Sequence, residues 1–327
     1  MTPPLVMTNP ASYLHHPPDH PERPERMAAI EAALAADPTL RELHTLRLEL
    51  DAEAPVPGAA AARLAALGVH DERHVDALFA AGAEADTTGT GGWLDADTYI
   101  GPGSLEAACA SLLSGRAAVS GVLSGAAGTA FSLCRPPGHH ATRRQAMGFC
   151  FFNNVAAAAQ LALDSGMERV AIVDFDVHHG NGTQDIFYSR ADVLYISTHQ
   201  WPLYPGTGAA DERGSGDGVG FTCNLPLPAG SGDAEYSGVF DDWVIPALDR
   251  FAPELLLVSA GFDAHARDPL AGMEVTTEGF ASLGRRLLGA AERHCGGRSA
   301  WLLEGGYHLE ALGASVAAVV AEASQDP

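Results

Sequence analysis

Nowhere in this chain do about 18 apolar residues follow one another, so no stretch is long enough to span a bilayer. Its opening, MTPPLVMTNPASYLHHPPDH, has neither the basic start nor the apolar core of a secretory signal. The cytoplasm is therefore the expected location, with no role at a membrane. Cysteine is scarce: Cys109, Cys134, Cys150, Cys223 and Cys295 are widely spaced, odd in number and form no Cys-x-x-Cys pair. That excludes a disulfide framework and a cysteine zinc site, and leaves five small apolar residues expected in the core. Cations are also few, 19 against 41 acids for a net charge of −22. Phosphate contacts need clustered Lys and Arg, so a nucleic-acid binder is excluded. The acidic surface either draws cationic partners or serves only solubility. Internal repeats and low-complexity linkers are missing too. With 46% hydrophobic residues among 327, the expectation is one domain over 1–327.

What the chain does contain is a regular alternation of elements. The first 25 residues, rich in Pro and His, read as an extended surface arm, and HHPPDHPERPER as mostly polar surface. Helical patterns follow at 25–36, 58–67 and 71–82, then a loop DTTGTGG at 86–92 and a helix over 103–125. Apolar runs at 129–134, 169–175, 192–198, 221–226, 254–260 and 299–303 read as strands. Helical segments at 151–165, 180–188, 233–251, 276–294 and 308–323 lie between or after them. Strands alternating with helices predict an α/β fold, a mainly parallel sheet covered on both faces.

The unusual residues fall at strand ends. VAIVDFDVHHGNGTQDIF, residues 170–187, begins as a buried strand and then presents Asp174, Asp176, His178 and His179 with no neighbouring cation. A carboxylate left unpaired in a core is very costly. RPPGHHA, GFDAHARDPL and EGGYH likewise follow strands, and open α/β sheets place ligands at C-terminal strand ends. Residues i and i+2 of an extended segment share a side, so Asp176 and His178 can face one point while His179 turns away. Asp263 is the best third ligand, although a lone Asp in that place would more often cap a helix. Three protein ligands leaving one open position describe a catalytic zinc site, with Fe(II) or Co(II) as alternatives in so sulfur-poor a set.

His139 and His140 on a Pro-Gly turn suit acid–base work on a metal-activated water. Asp174 and Asn181 are available to fix their rings. Tyr307, after two glycines, could stabilise an oxyanion developing on a carbonyl. Together these parts describe metal-assisted hydrolysis of an amide or ester.

RPPGHHA, GFCFFNN, DFDVHHGNGTQDIF, PGTG, GFDAHARDPL and EGGYH, in this order, resemble the signatures of zinc-dependent histone deacetylases. HHGNGTQ and DERGSGDGVGF resemble the class II and bacterial amidohydrolase branch, including acetylpolyamine amidohydrolases. The likeness runs from about HPERPERM, residues 20–27, to the last helix. It implies the arginase–deacetylase α/β fold and zinc on Asp176, His178 and Asp263. It further implies His140 as general base and acid, His139 as its electrostatic partner bonded to Asp174, and Tyr307 as oxyanion donor. A structural potassium is implied at Asp174, Asp176, His178, Ser197 and Thr198. Gly148, Phe149 and Tyr204 match the walls of an acyl-lysine tunnel, and Arg26 an arginine lining the acetate-release channel. Asp97 and Thr98 fall at the rim.

Some positions depart from parts of that family. Asn181 stands where class I enzymes carry an acid, Tyr204 where many carry Phe, and His308 where Asn or Ser is commoner. Leu270 stands where polyamine-selective relatives can carry a glutamate, which leans the expected substrate toward acyl-lysine. The acidic surface would suit an acetylated polyamine, and a homo-oligomer is left open. Two other readings are an arginase-like two-metal enzyme and a non-catalytic acyl-ligand or metal-binding protein. The first lacks a further acid at Asn181, and intact His139, His140 and Tyr307 argue against the second.

Overall fold

The apolar runs become strands of one sheet because each alternates its side chains between two helical layers. In the computed structural model, which describes residues 3–41, 43, 45–47 and 58–325, the elements follow in order. They are β1 (Leu5–Thr8), α1 (Glu25–Ala36), β2 (Thr45–Arg47), α2 (Ala59–Leu67), α3 (Glu72–Thr88), β3 (Gly92–Trp93), β4 (Tyr99–Ile100) and α4 (Ser104–Leu123). Next come β5 (Thr129–Ser132), α5 (Asn154–Asp164), β6 (Val170–Asp174), α6 (Asn181–Phe187), β7 (Val193–Gln200) and β8 (Thr222–Leu227). The chain closes with α7 (Asp233–Val239), α8 (Ile245–Phe251), β9 (Leu255–Ala260), α9 (Thr277–Cys295), β10 (Ser299–Leu303) and α10 (Leu309–Ala323).

Eight strands pair in the order β2-β1-β5-β10-β9-β6-β7-β8, and every pair in this sheet is parallel. β3 and β4 form a separate antiparallel hairpin. Within β6, Ala171 and Val173 join Leu256, Val258, Ile30 and Phe280 in one core. Val170 and Ile172 join Leu255, Leu257 and the Ala156–Ala159 run of α5 in the other. This two-faced burial is why the parallel strands read as unbroken apolar runs. No helix among the described residues is long and apolar enough to cross a membrane.

The fold corrects several expectations. The N-terminal segment is not a surface arm: Leu5–Thr8 is a strand between β2 and β5, and His15, Glu22 and Arg26 are buried. Four residues among prolines carry too little periodicity to announce a strand. The loop expected from residue 86 begins later, because α3 runs to Thr88. Thr87 and Thr88 turn their hydroxyls back to the carbonyls of Ala83 and Glu84, and Gly89 closes the helix at φ +68°. The single helix expected over 233–251 is interrupted by a π turn at Phe240–Val244. Pro246 lacks an N–H and its ring crowds the carbonyl four residues back, so the helix widens just ahead of it.

Candidate active site

The C-terminal ends of β5, β6, β9 and β10, the four central strands, converge on one pocket floor. β6 stops at Asp174, and Asp176 to His178 follow as a bend rather than as extended strand. Asp176 and His178 therefore do not meet through the pleat. Two Asx-type contacts fold the bend instead: Asp176 N–H donates to Asp174 Oδ1 at 3.2 Å, and His178 N–H to Asp176 Oδ1 at 2.9 Å. His179 does turn away, to Thr207 Oγ1 at 2.8 Å and Gln184 Oε1 at 3.1 Å.

After β9, Asp263 caps no helix. Its Oδ1 accepts the Val177 N–H at 2.8 Å, and its Oδ2 lies 3.1 Å from His178 Nδ1. Asp176 Oδ1 lies 3.2 Å from the same nitrogen. Donor atoms of Asp176, His178 and Asp263 all fall within 4.8 Å of one another. Tetrahedral donors about 2.1 Å from zinc sit roughly 3.4 Å apart, so this set fits such an ion. Two buried carboxylates and one imidazole also balance a divalent charge. Burial and the neighbouring Asp176 raise Asp263 to about 7. Burial disfavours charge on His178, but hydrogen bonds to Asp176 and Asp263 outweigh it and raise the imidazole to about 10. Gly305, after β10, leaves room for the cluster: a Cβ there would collide with Asp263 Oδ2.

The turn after β5 supplies the paired histidines, whose ring centroids are 4.0 Å apart. His139 Nδ1 donates to Asp174 Oδ2 at 3.0 Å, and His140 Nδ1 meets Asn181 Oδ1 at 2.7 Å. The two rings are tuned in opposite directions. Burial opposes charge on both, but Asp176, Asp174 and Glu304 around His139 overcome it and hold that ring's pKa well above its usual value. His140 has only an amide partner, and burial together with charges on His139 and His178 holds it well below. His140 is thus a neutral imidazole with Nδ1–H fixed by Asn181 and a lone pair on Nε2.

The other expected residues gather around this centre. Tyr307 is buried, packs edge-on to Phe149 at 5.8 Å and has Arg26 over its ring at 4.9 Å. Burial, with Asp263 and Asp176 nearby, holds its phenol well above 10. Tyr204 stands edge-on to His140 at 5.1 Å. Gly148 takes φ +57°, and a Cβ there would collide with the His140 ring. Phe149 also holds a positive φ of 69°. Asp97 and Thr98 brace this turn, accepting the N–H groups of Gly148 at 3.2 Å and Phe149 at 3.1 Å. Leu270 is half-buried, its N–H on Asp268 Oδ1 at 3.1 Å. Arg26 is fully buried and tied to the Gly306 carbonyl at 2.7 Å, the Glu304 carbonyl at 2.5 Å and Glu22 at 3.1 Å. Ser197 of β7 lies opposite Asp174 of β6, and the Thr198 hydroxyl is 3.4 Å from the Asp174 carbonyl.

Sequence reasoning missed three buried acids. Glu304 Oε2 accepts the N–H groups of Gly138 at 2.7 Å and His139 at 3.1 Å, holding the histidine turn from below. Asp268 Oδ2 accepts the N–H of Tyr307 at 2.6 Å. Both stand in quoted motifs, EGGYH and GFDAHARDPL, and an acid beside a strand end was the available signal. Glu22 pairs with Arg135 and Arg26, all fully buried, and its HPERPER context gave no such hint.

Known proteins resemble this chain over most of its length. The profile of the histone deacetylase domain matches residues 20–323. The chain belongs to the histone deacetylase family. It is an enzyme of an amide-hydrolysing class, and its neighbours' names agree. A probable deacetylase of Archaeoglobus fulgidus is 41% identical over 300 residues, covering 91% of this chain and 80% of that one. Histone deacetylase 10, chloroplastic, of Oryza sativa subsp. japonica is 54% identical over 188 residues, 57% of this chain. That match spans 42% of the rice protein's own length. The crystal structure of an acetylpolyamine aminohydrolase from Burkholderia pseudomallei superposes with a TM-score of 0.84 at 36% identity, covering 98% of both chains. The expected arginase–deacetylase architecture is therefore the one observed.

Proposed function

We propose that this chain removes acyl groups from acylated amines, with acetyl-lysine side chains as favoured substrate, and that residues 1–327 act as one catalytic unit in the cytoplasm. The observation that carries the reading is a pair of adjacent histidines held on unlike partners, His139 on the Asp174 carboxylate and His140 on the Asn181 amide, beside a three-ligand cluster. Asp176, His178 and Asp263 would hold zinc, which when bound supplies a Lewis acid for the amide carbonyl and lowers the pKa of water. His140 Nε2 takes the proton of the attacking water and returns it to the leaving amine nitrogen. Asn181 keeps that nitrogen free of hydrogen by holding Nδ1–H. His139, held charged by Asp174, keeps its neighbour neutral until the proton arrives. Tyr307 stays protonated and donates to the carbonyl oxygen as negative charge grows there. Gly148, Phe149 and Tyr204 would wall the acyl chain. Asp174, Asp176, His178, Ser197 and Thr198 would hold a structural potassium behind the site, supported by the close pairing of β6 with β7.

Leu270 supports a neutral substrate at the gate. A second reading, an acetylpolyamine, is favoured by the paired rim acids Asp95 and Asp97 and by the name of the Burkholderia relative. The deciding assay is kcat/KM of zinc-loaded protein on an acetyl-lysine peptide and on acetylspermidine, with a chelator control. Chelator-sensitive preference for the peptide supports the first reading. Preference for acetylspermidine supports the second, and chelator-resistant turnover removes the metal from both.

A further inference from the structure

A second pocket lies at the sheet's edge, and none of the residues placed in the active site lines it. β8 is the last strand of the sheet, and a groove of about 690 Å³ runs beside it, closed by α7, the π turn, α8 and the loop before β8. Small-molecule sites typically enclose about 300–1,000 Å³. The groove's apolar wall includes Phe221, Leu225, Val239 and Phe251. Trp243, which also lines it, is 58% exposed on the π turn that Pro246 imposes. Such turns recur at functional sites.

The groove's lining carries two arginines and no acid. The chain has no lysine, so its 19 basic residues are all arginine among 41 acids. Many arginines elsewhere are engaged, as Arg286 is with Asp241, Arg285 with Glu322 and Arg190 with Asp192, while Arg23, Arg41 and Arg73 stand alone on the surface among the described residues. The guanidinium groups of Arg213 and Arg250 have no hydrogen-bond or ion-pair partner among the described residues, and both line the groove. Both also act on the thiol of Cys223, another wall residue, pulling down a pKa that burial pushes up. The two charges therefore bear on one stretch of the groove.

An extended peptide is a poor occupant. Tyr195 N–H donates to the Phe221 carbonyl and Trp201 N–H to the Leu227 carbonyl, so the odd residues of β8 turn their backbone toward β7. The even residues Thr222, Asn224 and Pro226 face outward, and Pro226 has no N–H for an added strand. Unpartnered guanidinium groups beside an apolar wall fit a different ligand. We propose that the groove binds an aliphatic carboxylate, its charge met by Arg213 and Arg250 and its chain covered by Leu225, Val239 and Trp243.

The test is titration calorimetry of the zinc-loaded full chain with octanoate, octylamine, octanol and acetate. Octanoate should bind saturably, and acetate and octanol at least about tenfold more weakly, for want of a tail and a charge respectively. R213Q/R250Q should weaken octanoate at this site by about tenfold or more, with melting temperature and hydrolysis of an acetyl-lysine peptide unchanged. Octanoate should also slow maleimide labelling of Cys223, the one cysteine not buried, in the parent and not in the variant. Unchanged octanoate affinity in the variant would overturn the proposal, since the ligand would then sit elsewhere. So would octylamine binding as tightly, or no saturable binding below millimolar concentrations. Self-association in sedimentation that Trp243→Ala abolishes and octanoate leaves untouched would make the groove an interface between copies, and also overturns it.

Discussion

Replacing Asn181 by Asp should move the acid limb of the pH–rate profile upward without moving any heavy atom of His140. The side chains are nearly isosteric, and the introduced carboxylate would accept from His140 Nδ1 as Asn181 Oδ1 does at 2.7 Å. In the parent, burial and the charge on His139 hold His140 well below 6.5, so the base stays available into acid. A carboxylate stabilises the imidazolium and raises that pKa. Charges about 4 Å apart at an effective dielectric of 20 interact by roughly 4 kcal/mol, an upper bound of about 3 pKa units. Asn181 is half-buried, so solvent screens part of this, and about 1–2 units is the expected shift. The assay is kcat/KM on an acetyl-lysine peptide between pH 4.5 and 9, with metal content measured at each end. Asn181→Ala, which loses the tautomer lock and a hydrogen bond that raises His140's pKa, should lower kcat and move the limb, if at all, toward acid. An unmoved limb in Asn181→Asp, with zinc retained, would refute the assignment of His140 as base.

Tyr307→Phe should lower kcat about 10²–10³-fold and His140→Ala about 10²–10⁴-fold, each with bound zinc unchanged by elemental analysis. Asp263→Ala should lose the metal itself, and with it the thermal stabilisation that added zinc gives the parent. Gly148→Ala drives a Cβ into the His140 ring at φ +57°, costing about 1–3 kcal/mol or displacing the ring; urea unfolding and kcat read the two outcomes. Glu22→Gln leaves Arg135 and Arg26 buried beside a neutral group and should cost about 3–5 kcal/mol in urea. Burial works against the Glu22 carboxylate, but Arg135, His15 and Arg26 outweigh it and depress its pKa to about 2 from 4.5. Its stabilisation is present above pH 4.5 and lost as pH falls from 4.5 toward 2. Glu22→Gln should flatten stability across that window, and an unchanged acid slope would contradict the pairing.

Much of the sheet was legible because parallel strands buried on both faces read as short apolar runs, and β6, β9 and β10 stand within a residue of where their patterns put them. β1 was not, since Leu5–Thr8 is a strand only because β2 and β5 pair with it on either side. The interruption at Phe240–Val244 was also hidden in a continuous helical pattern, although Pro246 marked its cause. Around the site, chemistry was easier to read than geometry. An uncompensated Asp-x-Asp-x-His-His run and a His-His turn are too costly in a core to be packing alone, so their sequence pointed to a candidate metal site and a candidate acid–base pair. Which carboxylate serves which ring is a matter of distances across 35 to 166 residues of chain. Asp174 under His139, and Glu304 holding the turn from below, arise only once β5, β6 and β10 are brought together. The α/β class, the residue types of the centre and their place at strand ends could thus be read from the chain, because periodicity and burial cost are local properties. That His139 lies on a carboxylate and His140 on an amide followed from the folded chain alone, because such partners are brought close from anywhere along the sequence.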